Sequence, residues 1–264
     1  MTTLSQYLAE FYGQVNEMFL RSVDGISKGS SGNIDAGYSI FYSNPRSTLC
    51  DGPLYYLGLN PGGDAAEQGW KRETLKDWDE KAMSYSAYLP ECDKWKDGDD
   101  PAPLQERTRK LLECLQDHFG SRRDITTVFS TNAFFFRTRD THTLSRFGIR
   151  VCDHREPDKL CLCCGFWSFH KEWLKIVRPK VVVCNGNAEG LSAYAFIRSR
   201  FPGSVEEAKP RRIYGRFYFK SFRIIRPFWN EDEPVVVLGV PHMSRFAPGQ
   251  PFMDAISSAL QMRK

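Results

Sequence analysis

Residues 54–62 read Leu-Tyr-Tyr-Leu-Gly-Leu-Asn-Pro-Gly, an apolar run that ends in a turn sequence. Three other short apolar runs are followed closely by Thr-Asn, Asn-Gly or Pro: residues 125–130 (ITTVFS), 181–184 (VVVC) and 235–240 (VVVLGV). Each run is continuous and rich in β-branched or aromatic residues, which is typical of a strand buried on both faces of a parallel sheet. The four runs therefore predict four strands of one central sheet.

Helical patterns alternate with these runs. Residues 104–119 and 166–177 place apolar side chains at helical spacing, and Pro179 ends the second pattern. Residues 4–23 form a further helical pattern near the start of the chain. The alternation predicts an α/β fold with right-handed crossovers. We expect residues 1–264 to form a single domain with three layers, α/β/α, around a central four-stranded, mostly parallel sheet.

Two insertions of opposite charge extend this frame. Residues 64–100 contain eleven acidic and six basic residues, whereas residues 198–228 contain nine basic and two acidic residues. Within the basic insertion, residues 204–230, the stretch 212–225 predicts a β-hairpin with Gly215 near its turn. A concentrated basic stretch suits contact with phosphate groups, but charge alone favours a solvated face with no partner.

The chain carries no sequence signal for a membrane. No apolar run approaches the length that crosses a bilayer, and residues 1–20 lack the basic-then-apolar pattern of a secretory signal. We therefore expect a cytoplasmic protein without a membrane partner, associated with the nucleoid if the host is bacterial.

The residues directly after the four runs are the candidates for a functional site, because ligands of open α/β sheets bind at the carboxyl ends of the strands. The first loop is rich in glycine and proline, which lets a stiff backbone approach a ligand closely. It also contains Asn60. The later loops offer Asn132, Asn187 and His242. Amides and a histidine at one sheet edge indicate a polar ligand read by hydrogen bonds.

Four motifs in these positions resemble the uracil-DNA glycosylase superfamily. GLNPG (58–62) resembles the first motif of its mismatch-specific and single-strand-selective branches. STNAFFF (130–136) and CGFWSFHKEWLKIVRPKVVVCNG (164–186) resemble segments of its iron–sulfur branch, and PHMSRF (241–246) resembles its His-containing closing motif. Each motif lies at or next to a predicted strand, in the family's order. Together they span about residues 54–250.

The resemblance implies roles for individual residues. Asn60 would position the attacking water, Asn132 would read the pyrimidine edge, and His242 would donate to the base as negative charge builds on it. Asp64, four residues after Asn60, is a candidate carboxylate base. The rest of the substrate pocket is expected from Gly58, Leu59, Pro61, Gly62, Phe134 and Trp70, the last as a stacking partner.

The same resemblance predicts the DNA contacts. The family places its wedge, which fills the gap left by an extruded base, at the residues that follow His242. Here the motif lacks the proline that usually follows the histidine, which changes the geometry of that wedge. The expected DNA-binding residues are Met243, Ser244, Arg245, Phe246, Asn187, Arg211 and Arg212.

Cys152, His154, Cys161, Cys163 and Cys164 form a local cluster of metal-ligating residue types. The iron–sulfur branch uses four cysteines, of which only Cys164 has a counterpart here; Phe136 stands where a second is expected. We therefore assign no metal and no cofactor. A zinc site and a set of buried reduced thiols both remain as interpretations of this cluster.

These observations predict a monofunctional DNA glycosylase that flips an altered pyrimidine out of DNA and hydrolyses its glycosidic bond. No lysine in the first, second or closing motif is placed to act as a Schiff-base nucleophile, so strand cleavage is not expected. The partner is DNA, single- or double-stranded, with no protein partner required. The alternatives are a reader that holds a modified base without cleaving it, and an α/β enzyme that acts on a nucleoside or nucleotide.

Overall fold

The computed structural model describes residues 3–27, 37–60, 62, 71–92, 96–97, 100–120, 124–138, 141–146, 148–152 and 161–261. Its helices are α1 (Leu4–Ser27), α2 (Pro45–Thr48), α3 (Lys76–Asp79), α4 (Pro103–His118), α5 (Thr141–Arg146), α6 (Leu162–Val177), α7 (Ala193–Arg198) and α8 (Gln250–Gln261). Its strands are β1 (Gly37–Tyr38), β2 (Leu54–Gly58), β3 (Lys71–Arg72), β4 (Lys96–Asp97), β5 (Asp100–Pro101), β6 (Phe129–Asn132), β7 (Val181–Asn185), β8 (Val205–Glu207), β9 (Arg211–Tyr214), β10 (Phe217–Ile224) and β11 (Val235–Val240).

The fold is mixed α/β, built on a main sheet whose strands run in the order β6-β2-β7-β11-β10-β8, with β9 paired to β10. The four apolar runs correspond to the four neighbouring strands β6, β2, β7 and β11, which are mutually parallel. All residues of β2, β7 and β11 are buried, as expected for parallel strands covered on both faces.

The prediction of a four-stranded sheet was wrong, because the sheet has seven strands in mixed orientation. The basic insertion supplies β8, β9 and β10, and β10 pairs antiparallel with β11. Its hairpin is present, and Gly215 adopts a positive φ of 51° at the turn. The insertion joins the sheet because Phe222 and Ile224 of β10 are buried and continue the core beyond β11.

The second run also begins later than predicted. Residues Ile125–Thr127 form a 3₁₀ turn, and the strand starts at Phe129. The turn forms because the Asp124 carboxylate accepts from the backbone N–H of Thr126 at 2.9 Å and from its hydroxyl at 2.6 Å. A side chain that caps its own turn in this way competes with strand pairing.

Alternating residues of the strands form two separate cores, one on each face of the sheet. Tyr55 and Leu57 belong to one core, which α1, α6 and α7 cover. Leu54 and Tyr56 belong to the other, which α4 and α8 cover. Helix α6 ends at Val177 because Arg178 takes the left-handed conformation (φ 48°) and Pro179 follows it. None of the described helices combines the length and apolar character needed to cross a membrane.

The acidic insertion packs onto this body through a buried carboxylate. Glu73 accepts hydrogen bonds from the Tyr12 hydroxyl at 2.7 Å, the Ser39 hydroxyl at 2.8 Å and the Trp78 indole N–H at 3.0 Å. Tyr12 lies in α1, Ser39 lies in the segment after β1, and Trp78 lies in α3. A buried carboxylate is tolerated only when its oxygens are bonded in this way.

His170 of α6 is buried in the core that α1, α6 and α7 cover, which we call the first core, and its imidazole is neutral. Its Nδ1 accepts from the Tyr55 hydroxyl at 2.7 Å, and its Nε2 donates to the Ala133 carbonyl at 3.2 Å. Burial lowers the pKa of His170 from 6.5 to about 3. The imidazole therefore links α6 to the segment that directly follows β6 without carrying charge at neutral pH.

Acid should destabilise the protein through His170. The unfolded chain binds a proton at His170 near pH 6.5, whereas the folded chain binds it only near pH 3. The free energy of unfolding is then unaffected above pH 6.5 and falls between pH 6.5 and 3, by at most about 1.4 kcal/mol per pH unit from this group. Urea denaturation at several pH values measures that slope.

His170→Gln, which retains one donor and one acceptor but does not titrate, should show a shallower loss of stability over the same range. His142→Gln, at an exposed position on α5, is the matched control and should behave as the wild type. Equal slopes for wild type and His170→Gln would contradict a neutral buried imidazole.

Candidate active site

The carboxyl ends of the four parallel strands lie at one edge of the sheet. Gly58 pairs with Asn132, and Asn185 pairs with Val240. Leu57 pairs with Cys184, so β2 and β7 also end side by side. The loops that follow these strands, each singled out by the sequence, therefore emerge next to one another.

Asn132 is positioned by the absence of a side chain at Gly58. A Cβ added to Gly58 would stand 2.6 Å from Asn132 Oδ1, which is shorter than any real contact. The backbone on either side is tied as well, since Ala133 N–H donates to the Gly58 carbonyl at 2.8 Å and Phe134 N–H donates to the Leu59 carbonyl at 2.9 Å. The amide of Asn132 is thus held against the end of β2 and is only 1% exposed.

The Nδ2 donor of Asn132 is buried and makes no hydrogen bond of acceptable geometry. The Tyr42 hydroxyl lies nearby: burial raises the pKa of Tyr42, and the Asn132 amide opposes part of that rise. Leaving a buried donor without a good acceptor costs about 1–3 kcal/mol. Such a donor is suited to the carbonyl oxygen of a ligand that enters this edge.

Asn60 is half-buried, and hydrogen bonds to Thr138 determine which way its side-chain amide is oriented. Its Nδ2 donates to the Thr138 hydroxyl at 2.8 Å and to the Thr138 carbonyl at 3.3 Å. With the nitrogen so directed, Oδ1 is the acceptor end of the amide. An acceptor of defined direction can orient a water molecule. Sequence reasoning did not identify Thr138, which lies outside the four motifs.

His242 is exposed at this edge and is held as one tautomer. Its Nδ1 lies 2.6 Å from the Ser244 hydroxyl and accepts from the Ser244 backbone N–H at 3.4 Å. Because Nδ1 accepts, the hydrogen of the neutral ring is on Nε2. Loss of hydration and the positive charge of Arg245 lower the pKa of His242. At neutral pH the ring therefore presents an uncharged N–H donor.

Two residues that the site predictions omitted hold the His242 loop. Asn185, buried at the end of β7, accepts from the backbone N–H of Met243 at 3.0 Å. From α4, Arg107 donates to the carbonyls of Met243 and Ser244 at 3.1 and 3.4 Å. The sequence offered a signal for Asn185, because Asn-Gly directly follows the third apolar run. It offered none for Arg107, which is 136 residues from Met243.

The structure corrects the assignments of Met243 and Phe246. Met243 is 0% exposed and Phe246 5% exposed, and both belong to the core beneath α8. In this position they cannot fill a gap in a DNA duplex. They instead anchor the loop and leave Ser244 and Arg245 as its exposed members. The reason is that the residues of this turn point to opposite sides, some to the core and some to solvent.

Phe134 and Asn187, both predicted site residues, make contacts within the protein. The Phe134 ring is fully buried against Phe166 and Phe196, with ring centres 5.7 and 5.1 Å apart, so it does not line an open pocket. Asn187 Nδ2 donates to the carbonyls of Tyr218 and Gly239 at 2.6 and 2.8 Å, which locks β10 onto β11. The Phe134 ring is thus unavailable to a ligand in this arrangement, and the Nδ2 donor of Asn187 is occupied by the backbone.

The remaining predicted pocket residues divide into two groups. Leu59 is half-buried and Gly62 is exposed at the same edge. Pro61, Asp64 and Trp70 lie outside the described residues.

The basic hairpin formed by β9 and β10 lies next to the loop after β11 that contains His242. Lys220 of β10 pairs with Gly239 of β11, so the residues that precede Lys220 extend past the carboxyl end of β11. The ring of Phe217 packs 5.3 Å from that of Phe246. On the hairpin, Arg211 and Arg212 are exposed.

Two aromatic side chains of the hairpin were missed by sequence reasoning. Tyr214 is 77% exposed and Tyr218 is 43% exposed. Exposed aromatic rings among arginines are the combination that binds bases by stacking and phosphates by charge. The sequence Arg-Arg-Ile-Tyr-Gly-Arg-Phe-Tyr (211–218) does show aromatic residues among arginines. Only the structure shows which of these rings are exposed to solvent.

A cavity of about 1020 Å³ lies elsewhere, between α1 and α6. Tyr7, Phe11, Trp167, Lys171 and Arg200 are among its lining residues, and its lining includes no described residue of the four loops. It is therefore separate from the site at the carboxyl edge.

Comparisons of this chain with protein-family models, with curated proteins and with solved structures found no match. Function is therefore inferred from the residues of the site and from the motifs that carry the resemblance.

Gly58→Ala should displace the Asn132 amide. The added methyl group would meet Oδ1 at 2.6 Å, and the strand backbone cannot move without disturbing both of its neighbours. Overpacking of this kind destabilises a protein by about 1–3 kcal/mol. Urea denaturation measures the loss, and the asparagine side-chain amide resonances in an NMR spectrum report the displacement.

Gly52→Ala is the matched control, since a Cβ there would meet its nearest neighbour at 3.8 Å, an ordinary contact. It should change the free energy of unfolding by less than about 0.5 kcal/mol. A Gly58→Ala protein with unchanged stability and an unmoved Asn132 amide would show that Gly58 does not determine the position of Asn132.

Proposed function

We propose that this protein is a DNA glycosylase of the uracil-DNA glycosylase superfamily, which hydrolyses the bond between an altered pyrimidine and its deoxyribose. The observation that carries the proposal is that Asn60, Asn132 and His242 all lie at or just after the carboxyl ends of parallel strands of one sheet. Asn132 is the last residue of β6, and Asn60 and His242 lie in the loops after β2 and β11. Each side chain presents the kind of group that the resemblance assigns to it.

Recognition of the base is assigned to Asn132. A pyrimidine such as uracil offers a ring N–H donor flanked by carbonyl acceptors, and an amide offers the complementary acceptor and donor. The buried Nδ2, which makes no well-formed hydrogen bond within the protein, would be satisfied by a base carbonyl. This pairing explains why a costly buried donor is retained at this position.

The chemical step needs a nucleophile and stabilisation of the leaving base. Asn60 would orient a water molecule towards C1′ of the sugar. The C1′–N1 bond breaks, its electron pair leaves with the base, and a C1′–O bond forms to the water oxygen. The proton lost by the water is taken up by solvent or a nearby carboxylate, for which Asp64 remains the candidate. The products are the free base and an abasic site.

His242 would stabilise the charge that develops on the base. Its neutral Nε2–H, directed by the Ser244 contacts to Nδ1, is a preorganised donor for the base oxygen that becomes negative as the bond breaks. One donor of this kind contributes about 3–4 kcal/mol, or about 10²–10³ in rate. An amide in place of a carboxylate at position 60 orients water but is a poor base, so a modest rate is expected.

The basic hairpin would bind the polymer. Arg211, Arg212 and Arg216 are exposed on it, and they would contact phosphates next to the flipped nucleotide. Tyr214 and Tyr218 would stack on unpaired bases. The presence of this surface at the same edge as the candidate catalytic side chains favours a nucleic-acid substrate over a free nucleoside.

The first test is release of a base from DNA. Oligonucleotides that carry uracil, mismatched thymine or modified cytosines, in single and double strands, are incubated with the protein. Abasic sites are then cleaved by alkali, and the free base is identified by mass spectrometry. His242→Ala should lower the single-turnover rate by about 10²–10³, and Asn60→Ala should also lower it. His142→Ala, at an exposed position on α5, is the control and should leave it unchanged.

The outcomes distinguish three functions. Free base from DNA that depends on both residues supports a glycosylase. Tight binding of one altered base with no release on any substrate would replace the proposal with a reader of modified DNA. Cleavage of free nucleosides, without cleavage of DNA, would replace it with a small-molecule enzyme.

The hairpin should determine the salt dependence of DNA binding. The double variant Arg211→Ala/Arg216→Ala should weaken binding to all sequences and reduce the slope of log K against log salt by about 1 for each phosphate that an arginine no longer neutralises. Tyr214→Ala should weaken binding to single strands by about 1–3 kcal/mol if the ring stacks on a base. Fluorescence anisotropy at several salt concentrations measures both effects.

The matched control is Lys175→Ala/Lys180→Ala. It removes the same charge from α6 and from the residue before β7, at the opposite edge of the sheet, and both side chains are exposed. An equal reduction of affinity and slope in the control would mean that binding follows net charge alone and not the hairpin.

A further inference from the structure

Three cysteines from two separate segments meet at the start of α6. Cys152 Sγ lies 3.5 Å from Cys164 Sγ and 3.4 Å from Cys161 Sγ. All three sulfurs lie within 4.8 Å of one another. We refer to Cys152, Cys161 and Cys164 as the three-cysteine cluster. None of the three takes part in the proposed glycosylase reaction.

Local structure explains how the sulfurs converge. Cys161 is the N-terminal capping residue of α6 in an extended conformation, and Cys164 lies in the first turn. Residues three apart at this point lie on the same side of a helix. Cys152 approaches from the segment that follows Ile149, a fully buried residue of the first core. Cys161 and Cys164 have the Cys-x2-Cys spacing found in structural zinc sites.

The distances suit a tetrahedral ion. Zinc binds thiolate sulfur at about 2.3 Å, so two sulfurs on one tetrahedral zinc lie about 3.8 Å apart. The two measured separations are within a few tenths of that value. A disulfide, in contrast, would join two of the sulfurs at about 2.05 Å and leave the third unused.

A half-buried arginine provides a second, independent observation. The guanidinium of Arg200 lies 3.3 Å from Cys152 Sγ, 2.7 Å from Cys163 Sγ and 4.0 Å from Cys164 Sγ. Three thiolates on a divalent zinc ion carry a net charge of −1. A guanidinium that donates to their sulfurs stabilises such a complex, whereas it gains little from neutral thiols.

We propose that the three-cysteine cluster binds Zn²⁺ through three thiolates, with Arg200 as a positioning residue that neutralises the complex. Cys163 lies outside the ligand set because its sulfur is not one of the three that lie within 4.8 Å of one another; it accepts from Arg200 instead. The ion would join residues 148–152 to the first turn of α6. Since α6 also carries His170, which holds the Ala133 carbonyl next to Asn132, the metal would stabilise the helix that supports the candidate active site.

The first experiment measures metal in the wild-type protein. The chain is purified without a polyhistidine tag from medium that contains zinc, and bound metals are quantified by mass spectrometry. One zinc per chain is expected. After removal of zinc, titration with Co²⁺ should give the sulfur-to-cobalt charge-transfer band and the intense visible bands of tetrahedral coordination.

Individual replacements identify the ligands. Cys152→Ser, Cys161→Ser and Cys164→Ser should each lose the stoichiometric zinc and the cobalt charge-transfer intensity. Cys163→Ser, beside the cluster, and Cys50→Ser, an exposed thiol, are matched controls that should retain one zinc. Arg200→Met should weaken zinc binding by about 10–100-fold in competition with a chelator, and Arg200→Lys should restore part of it.

Several results would overturn the proposal. Wild-type protein without zinc that also gives no cobalt bands would exclude the site, and this test needs no variant to fold. Iron with inorganic sulfide in place of zinc would assign the cysteines to a different cofactor. Full zinc retention by the cluster variants, or its loss in Cys163→Ser but not in Cys164→Ser, would show that the ligands are other residues. None of these results depends on base release from DNA.

Discussion

The in-register pairing of β2 with β6 and β7 is the constraint on which the rest of the molecule depends. Every side chain of β2 is buried, with Tyr55 and Leu57 in one core and Leu54 and Tyr56 in the other. A shift of one residue would exchange the two sets between the faces of the sheet. The same register places Gly58 opposite Asn132, so the packing of the core and the position of the candidate base-reading amide are determined by one set of backbone hydrogen bonds.

Polar groups inside the cores extend this constraint to the helices. His170 joins α6 to Tyr55 and to the Ala133 carbonyl, and Glu73 joins the acidic insertion to α1 and to the segment after β1. Both groups have their hydrogen bonds satisfied within the protein, which makes them specific links between elements. The Nδ2 atom of Asn132 lacks a well-formed bond of this kind. That contrast is why base reading is proposed for Asn132 and not for the other two groups.

The loop after β11 combines buried side chains that pack on the core with exposed polar side chains. Met243 and Phe246 are buried and tie the loop to the core, while His242, Ser244 and Arg245 are exposed. Asn185 and Arg107 hold the loop backbone from β7 and from α4. The hairpin of the basic insertion packs against the same loop through the rings of Phe217 and Phe246. A rigid support of this type is what a hydrogen-bond donor needs if it is to stabilise a developing charge.

The sequence by itself indicated the four parallel strands of the main sheet and the edge at which the candidate site is proposed. Continuous apolar runs can be buried only inside a covered sheet, and the polar residues after them are then forced to its carboxyl edge. It could not determine which of those residues face a ligand. Met243, Phe246 and Phe134 follow strands just as Asn60 and His242 do in the sequence, yet their side chains are buried in the cores. The contributions of Thr138, Arg107, Tyr214 and Arg200 also required the tertiary structure. Each depends on contacts between residues far apart in the chain, or on which side of a strand faces solvent, and neither is set by local spacing.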